Sequence, residues 1–340
     1  MTRIFSLMLI TVLACCSLAL FAQKKVIIDC DPGVDDAMEL ILALQSPEID
    51  IVGITITCND ANIAQRTRNA LRIVELSGRN IPVFQGALDP LVVAPLPVGH
   101  NMIHGDDLLG NTNQPVPRIF SQHETAAKFI VDIAKKYPDQ IIILAEGRFT
   151  NLADAIRLDS SVTKNIKEVV LSGGAFHTAG LITPVAEPNV WFDPHAADMV
   201  YTAPWKKITA FGLDVNMKIS INDSILLRVK NENSKYGSFL YSITRLTRDF
   251  HMKTFGTDGI LDPGSPPILY MIDSTLFKFN KAPVRVVTEG LARGQTIIPV
   301  YPFQFEGEPW KGKPLVSIAT DVDMKRFLDY YQQIMLGKRH

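Results

Sequence analysis

The sequence is poor in cysteine, and this scarcity limits the kind of fold it can have. Only 4 of its 340 residues are cysteines, and two of them, Cys15 and Cys16, lie in the apolar N-terminal segment. The rest of the chain keeps Cys30 and Cys58, which are too few for a disulfide-stabilised scaffold. Because buried free thiols are common in globular proteins, we expect these two cysteines to be unpaired.

An excess of either charge is also lacking. Lysine and arginine number 34, against 35 for aspartate and glutamate. A near-neutral chain has no electrostatic signature of binding to nucleic acid or to an anionic membrane. Hydrophobic residues make up 47% and charged residues 20%, which excludes disordered and fibrous classes. No linker-like cluster of proline and glycine and no fixed-period repeat is present, so one domain over residues 23–340 is predicted.

The N-terminal segment is predicted to be a signal peptide. Thr2 and Arg3 precede an uncharged apolar run from Ile4 to Phe21, which ends in the small-residue pattern Ala19-Leu20-Phe21-Ala22. This pattern favours cleavage after Ala22. An uncleaved anchor is the alternative, because the run approaches the roughly 20 residues that span a bilayer. Cleavage would give an exported protein, periplasmic or extracellular, without membrane attachment.

Hydrophobic periodicity predicts an α/β fold with a mostly parallel central sheet flanked by helices. Strand-length apolar runs alternate with amphipathic helical stretches along the whole chain, as in consecutive βαβ units. A helical excursion is expected around 223–251, and a closing helix from Asp321 to Met335, capped by Thr320 or Asp321. The predicted strands are 26–28, 51–56, 141–144, 169–171, 208–211 and 284–287. The other predicted helices are 37–45, 61–77, 124–136, 152–158 and 196–201.

Four carboxylates follow the first predicted strand, at Asp29, Asp31, Asp35 and Asp36. Ligands of open α/β sheets bind outside the carboxyl ends of the strands. Clustered carboxylates without a counter-charge repel one another, and a hard cation such as calcium, which prefers oxygen ligands, removes this repulsion. The segment therefore predicts a metal or catalytic site.

Simpler interpretations explain only part of this segment. Helix capping by Asp35 and dipole compensation by Asp36 account for two of the four aspartates. An EF-hand is excluded, because Gly33 and Val34 are wrong for its loop. A magnesium-dependent phosphatase of the haloacid dehalogenase type also begins with Asp-x-Asp after its first strand, and it remains an alternative.

The segment Asp29-Cys30-Asp31-Pro32-Gly33-Val34-Asp35-Asp36-Ala37 resembles the signature of the inosine-uridine-preferring nucleoside hydrolases. Similar motifs follow in the family's order over nearly the whole mature chain. They are Thr67-Arg68-Asn69-Ala70, His104-Gly105, Gly147 to Leu152, Val169 to Gly174, Ala186-Glu187-Pro188-Asn189, Asp193-Pro194, Gly212 to Val215 and Asp262-Pro263.

The resemblance implies a calcium-dependent enzyme with a Rossmann-like core that hydrolyses the N-glycosidic bond of ribonucleosides and assembles as homodimers or homotetramers. The calcium ligands would be Asp31, Asp36, Asp262 and the main-chain carbonyl of Glu146. Asp31 would also take the proton of the attacking, calcium-bound water. The residues expected to bind the substrate are Asp35, Asp60 (or Asn59 under a one-residue shift), His104, Glu187 and Asn189.

The sequence departs from the family pattern on the side of the leaving base. Leu261 stands where many members have a histidine that protonates the base, and Leu181 stands where many have a sugar-binding asparagine. His251 and Phe255 are candidates for the leaving-group side, as are His104, Phe250, Trp191 and Tyr270. Two hypotheses stay open: a substrate whose base departs without an acid, such as nicotinamide riboside, and a catalytically weak nucleoside- or ribose-binding homologue.

Overall fold

The computed structural model describes residues 23–58, 62–94, 101–301, 303 and 309–338. Its centre is an eight-stranded sheet in the order β3-β2-β1-β4-β5-β6-β12-β9. All strands of this sheet are parallel except β9, which pairs antiparallel with β12. The order 3-2-1-4-5-6 is that of a Rossmann-like fold, and it reverses direction between β1 and β4. The predicted fold class is confirmed.

The strands of the large sheet are β1 (Lys24–Cys30), β2 (Ile49–Ile56), β3 (Val83–Gln85), β4 (Ile141–Ala145), β5 (Glu168–Ser172), β6 (Ile208–Phe211), β9 (Phe277–Ala282) and β12 (Val316–Val322). Two small antiparallel sheets pair β7 (Ser220–Ile221) with β8 (Ile260–Leu261), and β10 (Arg285–Val286) with β11 (Thr296–Ile297).

The helices, numbered over the described residues, are α1 (Val34–Gln45), α2 (Ile63–Ser77), α3 (Asn101–His104), α4 (Ala126–Lys136), α5 (Thr150–Leu158), α6 (Val162–Asn165), α7 (Pro188–Phe192), α8 (Pro194–Thr202), α9 (Leu213–Asn216), α10 (Asp223–Glu232), α11 (Gly237–Ile243), α12 (Arg245–Phe255), α13 (Ser265–Ile272) and α14 (Met324–Met335), with a 3-10 turn at Ser274–Leu276. The predicted excursion around 223–251 is therefore α10 to α12. No described helix has the length and apolar character needed to cross a bilayer.

The sheet is buried on both faces, as expected for parallel strands covered by helices. Along β1, Val26 and Ile28 pack into one hydrophobic core, whereas Ile27 between them packs into the other. Successive side chains of a strand point to opposite faces, so a continuous apolar run supplies both cores. This is why β1, β4 and β5 contain unbroken runs of isoleucine, valine and leucine in the sequence.

Two predicted elements near the C-terminus are wrong. Residues 284–287 do not join the large sheet, because β10 pairs with β11 instead. Only Pro283 and Val284 separate β10 from β9, whereas a parallel neighbour needs a crossover of about a dozen residues or more. The closing helix begins at Met324, and its cap is Asp323, whose side chain accepts a hydrogen bond from the Arg326 N–H at 3.2 Å.

Thr320 and Asp321, the caps predicted for that helix, belong instead to β12. Their segment extends the sheet between β6 and β9. Asp321 and Val322 pair with β9, so they belong to the sheet, although the helical periodicity had assigned them to the closing helix.

Candidate functional site

The turn after β1 places the acidic motif at the carboxyl edge of the sheet, next to the point where the strand order reverses. The N–H of Glu146 donates to the carbonyl of Asp29 at 2.8 Å, so the ends of β1 and β4 lie side by side. The carboxylate of Asp36 accepts hydrogen bonds from the N–H groups of Asp31 and Gly33, both at 3.1 Å. Capping by Asp35 is therefore wrong, since Asp36 satisfies the free donors where α1 begins.

Asp31 lies against a buried arginine that the sequence reasoning missed. Arg66 Nη1 is 3.0 Å from Asp31 Oδ2, and the same guanidinium donates to the Asp31 carbonyl. Arg66 is 2% exposed and lies within α2. Its spacing from the buried residues Asn69, Ala70 and Ile73 places it on the same side of the helix. A single arginine within an apolar helix stripe was the available signal. The ion pair orients the Asp31 carboxylate from one side.

Gly147 lies on the other side of Asp31. A Cβ atom at this position would be 2.8 Å from Asp31 Oδ1 and 2.4 Å from Thr57 Cγ2. Both separations are shorter than side-chain contacts allow, so the close approach of the β4 end to Asp31 requires glycine here. Asp31 is thus held between a guanidinium and a bare backbone.

Four carboxylates are buried beside Asp31, namely Asp36, Glu39, Glu146 and Asp262. Burial, and then the charge of Asp35, raise the pKa of Asp36 to about 6. Burial also raises the pKa of Asp262 to about 6. Burial and the neighbouring carboxylates raise the pKa of Glu39 and of Glu146 well above their usual range. Each group thus resists carrying its charge while the others carry theirs.

Glu39 is the second member of this cluster that the sequence reasoning missed. It lies three residues after Asp36 and four after Asp35, so the helix places all three on one side. Its Oε2 atom and Oε1 of Glu146 are buried and have no hydrogen-bond partner among the described residues. Unpaired buried oxygens together with mutual repulsion are the chemistry that a hard cation relieves.

The side chains expected to bind calcium are turned towards protein partners. Asp31 pairs with Arg66, Asp36 binds the turn, and Asp262 accepts from the Ser265 N–H at 3.2 Å and from its hydroxyl. Over the parts of the chain that the structure describes, no three histidine, cysteine, aspartate or glutamate side chains converge as metal ligands. The donor set thus fits a hard cation in its chemistry, whereas a convergent ligand cage is not formed.

Asn189, predicted to bind ribose, also braces the predicted calcium ligand. Its Nδ2 atom donates to the carbonyls of Glu146 at 2.7 Å and Ser172 at 3.0 Å. Glu187 caps the same helix, α7, and its Oε2 accepts from the N–H groups of Val190 at 3.0 Å and Gly174 at 3.2 Å. Burial raises the pKa of Glu187 to about 7. Both residues therefore lie beside the ends of β4 and β5.

His104 and Asp35 meet on the opposite side of the acidic cluster. The His104 Nδ1 atom is 3.7 Å from Asp35 Oδ1 and accepts a hydrogen bond from the Val34 N–H at 3.3 Å. Burial raises the pKa of Asp35. Asp60, the remaining predicted substrate ligand, and its alternative Asn59 lie outside the described residues, as does the predicted signal peptide.

The leaving-group candidates lie on four helices: His251, Phe250 and Phe255 on α12, His104 on α3, Trp191 on α7 and Tyr270 on α13. His251 Nδ1 accepts a hydrogen bond from the N–H of Leu261 at 3.0 Å. Phe255 is 42% exposed, with its ring centroid 5.7 Å from that of His251. Leu181, 48% exposed, contributes no polar group. The structure therefore places the His251 ring against the backbone of Leu261.

Asp29, the first carboxylate of the acidic segment, has a structural role. Asp29 is fully buried, and its Oδ1 accepts from Thr55 Oγ1 at 2.6 Å and Asn151 Nδ2 at 2.7 Å. It ties β1 to β2 and α5 and does not reach the cluster as a free carboxylate. Cys30 and Cys58 are buried and form no disulfide within the described residues, so the prediction that no bridge joins them is confirmed.

The fold and this edge of the sheet together define an α/β protein with a cluster of buried carboxylates at the carboxyl ends of its strands. The family model described as inosine-uridine preferring nucleoside hydrolase matches residues 26–329. The chain belongs to this family, and it is accordingly a nucleoside hydrolase, a glycosidase acting on N-ribosyl bonds.

Relatives and solved structures agree over nearly the full length. Uridine nucleosidase 1 of Arabidopsis thaliana is 34% identical over 310 residues, which cover 91% of this chain and 92% of the relative. The inosine-uridine preferring nucleoside hydrolase of Leishmania major is 32% identical and covers 88% and 94%.

Among solved structures, a plant nucleoside hydrolase superposes with a TM-score of 0.87 at 30% identity, covering 92% of this chain and 99% of the other. A purine-preferring ribonucleoside hydrolase from Gardnerella vaginalis gives a TM-score of 0.84 at 30% identity, covering 92% and 98%. The named preferences of these proteins differ, so similarity alone does not fix the base.

Proposed function

We propose that this protein hydrolyses ribonucleosides to ribose and free base, with calcium as its metal and Asp31 as the base that activates water. The observation that carries the proposal is the position of Asp31, which lies between Arg66 and Gly147 beside the buried carboxylates of the acidic cluster. Carboxylates at this edge of an α/β sheet face the ligand crevice.

Asp31, Asp36, Asp262 and the carbonyl of Glu146 are the residues that would hold calcium. When bound, the cation lowers the pKa of a water molecule and fixes its position. The ion pair between Arg66 and Asp31 holds this carboxylate in position to accept the proton of the attacking water. Asn189 and Ser265 support this arrangement, because they hydrogen-bond to the Glu146 carbonyl and to Asp262.

The same carboxylates stabilise the reaction at the sugar. Cleavage of a glycosidic bond develops positive charge on the ribose in an oxocarbenium-like transition state. Preorganised negative groups around that position lower its energy. Asp35, Glu187 and Asn189 supply acceptors and donors for ribose hydroxyls. A 2′-deoxy substrate would leave such groups unpaired, so a preference for ribonucleosides is part of the proposal.

Ribose release from inosine, uridine, adenosine, cytidine and nicotinamide riboside tests the function. The mature protein is assayed with calcium, with a chelator, and with calcium restored, beside the variant Asp31→Asn. Chelator-sensitive release that is lost in Asp31→Asn supports the proposal. Calcium binding without release from any riboside favours a binding homologue, and release of phosphate from phosphomonoesters would favour the phosphatase alternative.

Export and assembly are separate proposals from the sequence. The segment ending at Ala22 supports export to the periplasm or the extracellular space, and the family resemblance supports a homodimer or homotetramer. N-terminal sequencing of the protein recovered after expression checks the first. Cleavage elsewhere than after Ala22, or none, contradicts it. Light scattering on the mature protein checks the second, and a monomeric mass would refute it.

A further inference from the structure

We propose that His251 donates a hydrogen bond to the departing base and so supplies what Leu261 cannot. This inference rests on the proposed hydrolysis of nucleosides and concerns the leaving-group side of the same site. The histidine lies on α12, whereas Leu261 belongs to β8. In the sequence it stands eleven residues before Asp262.

Two hydrogen bonds fix the position of His251, one through its own helix and one at its ring. On one side, Thr247 Oγ1, one helical turn earlier, donates to the carbonyl of Ile103 at 2.8 Å and so ties α12 to the helix that carries His104. On the other side, the Leu261 N–H reaches the His251 ring at 3.0 Å. His251 therefore lies between the His104–Asp35 pair and the residue preceding Asp262.

The contact with Leu261 decides which ring nitrogen carries the proton. Nδ1 accepts the backbone N–H, so it bears a lone pair, and in the neutral ring the proton lies on Nε2. Burial, and then the nearby His104, lower the pKa of His251 to about 4, which keeps the ring neutral near pH 7. The backbone N–H of Leu261 thus orients His251 so that its Nε2–H is the donor.

That donor is left for a ligand. Among the described residues, the only hydrogen bond of the His251 ring is the one at Nδ1. This leaves the Nε2–H available to a ligand. The rings of Phe250 and Phe255, with centroids 5.9 Å and 5.7 Å from the imidazole, surround it with surface suited to a planar base.

The chemistry balances without proton transfer from the histidine. The bond between the anomeric carbon and the base nitrogen breaks, and its electron pair goes to the base, which leaves as an anion. The attacking water forms the new carbon–oxygen bond and gives its proton to Asp31. The Nε2–H bond stabilises the charge on the departing base, which takes its proton from solvent afterwards. A neutral imidazole can act as such an electrophile.

A leaving group that needs no stabilisation separates this role from a structural one. Wild type, His251→Ala, His251→Gln and the exposed control His123→Gln are compared on the best natural nucleoside and on 4-nitrophenyl riboside, whose phenolate departs unaided. A hydrogen bond to a developing charge contributes about ten- to a hundredfold in rate. We expect His251→Ala to lose about this much kcat on the nucleoside and less than about threefold on the nitrophenyl substrate. His251→Gln, which keeps an N–H donor, should recover part of the loss.

The outcomes separate the two levels of the proposal. Equal losses on both substrates, or a loss on neither, would overturn the role of His251 while leaving the hydrolase intact. A wild-type protein that cleaves neither substrate would refute the proposed function itself and this inference with it. Thermal unfolding of each variant identifies a loss caused by misfolding, and in that case His251→Gln, which retains the polarity, provides the comparison.

Discussion

The substitution Gly147→Ala tests the geometry around Asp31 most directly. The added methyl would lie 2.8 Å from Asp31 Oδ1, whereas ordinary contacts begin near 3.4 Å. The carboxylate must therefore move by about 0.6 Å, the difference between these two distances. Because a misplacement of about 1 Å can cost roughly a hundredfold in rate, we expect a loss of about ten- to a hundredfold in kcat. Overpacking against Thr57 should also lower the free energy of unfolding by about 1–3 kcal/mol.

The matched control is Gly78→Ala. Gly78 ends α2 with a φ of 70°, and a Cβ there meets nothing within 4 Å. The left-handed backbone costs a side chain about 1 kcal/mol, so stability falls comparably while the site is untouched. Ribose release and urea unfolding are measured for both variants. If Gly147→Ala keeps more than half of the wild-type rate, or if Gly78→Ala loses as much activity, the tight enclosure of Asp31 is not what catalysis requires.

Three further predictions concern buried groups. Arg66→Ala leaves Asp31 buried without its partner and should cost about 3–5 kcal/mol in urea unfolding; if adding Asp31→Asn recovers none of it, the ion pair is not the cause. Burial raises the folded-state pKa of Glu187 from 4.5 to about 7, so its contribution to stability falls as pH rises through this interval, by at most about 3 kcal/mol. The free energy of unfolding of wild type minus that of Glu187→Gln should thus be larger at pH 5 than at pH 8. A difference that does not change with pH would contradict the raised pKa of Glu187. Cys30 and Cys58 should react with a thiol reagent only after denaturation, and rapid labelling of the folded protein would show that their burial is transient.

The sequence predicted the parallel core well and its C-terminal edge poorly. Strands β1, β2, β4, β5 and β6 consist mostly of buried apolar residues, because helices cover both faces of the sheet. The edge strand β9 mixes buried and exposed residues and was not recognised. The segment 284–287 has the composition of a strand, but composition does not specify its partner. The short connection excludes a parallel place beside β9, and the tertiary structure pairs the segment with β11.

The acidic motif was visible in the sequence because its members are adjacent. Asp31, Asp35 and Asp36 follow one strand, and the strand end determines where they lie. Glu187, Asn189 and Asp262 could be found because they stand in motifs that resemble those of the family. Arg66 and Glu39 lie inside helices and outside the recognised motifs, so their burial beside the cluster is what identifies them.

By itself, the sequence determined the fold class and the type of chemistry, since hydrophobic periodicity and a local carboxylate motif are properties of neighbouring residues. The tertiary structure decided which contacts complete the site. The Arg66–Asp31 ion pair, the approach of Gly147 and the Leu261–His251 hydrogen bond each join separate elements. Such contacts depend on how helices pack against strand ends, which no local pattern of residues specifies.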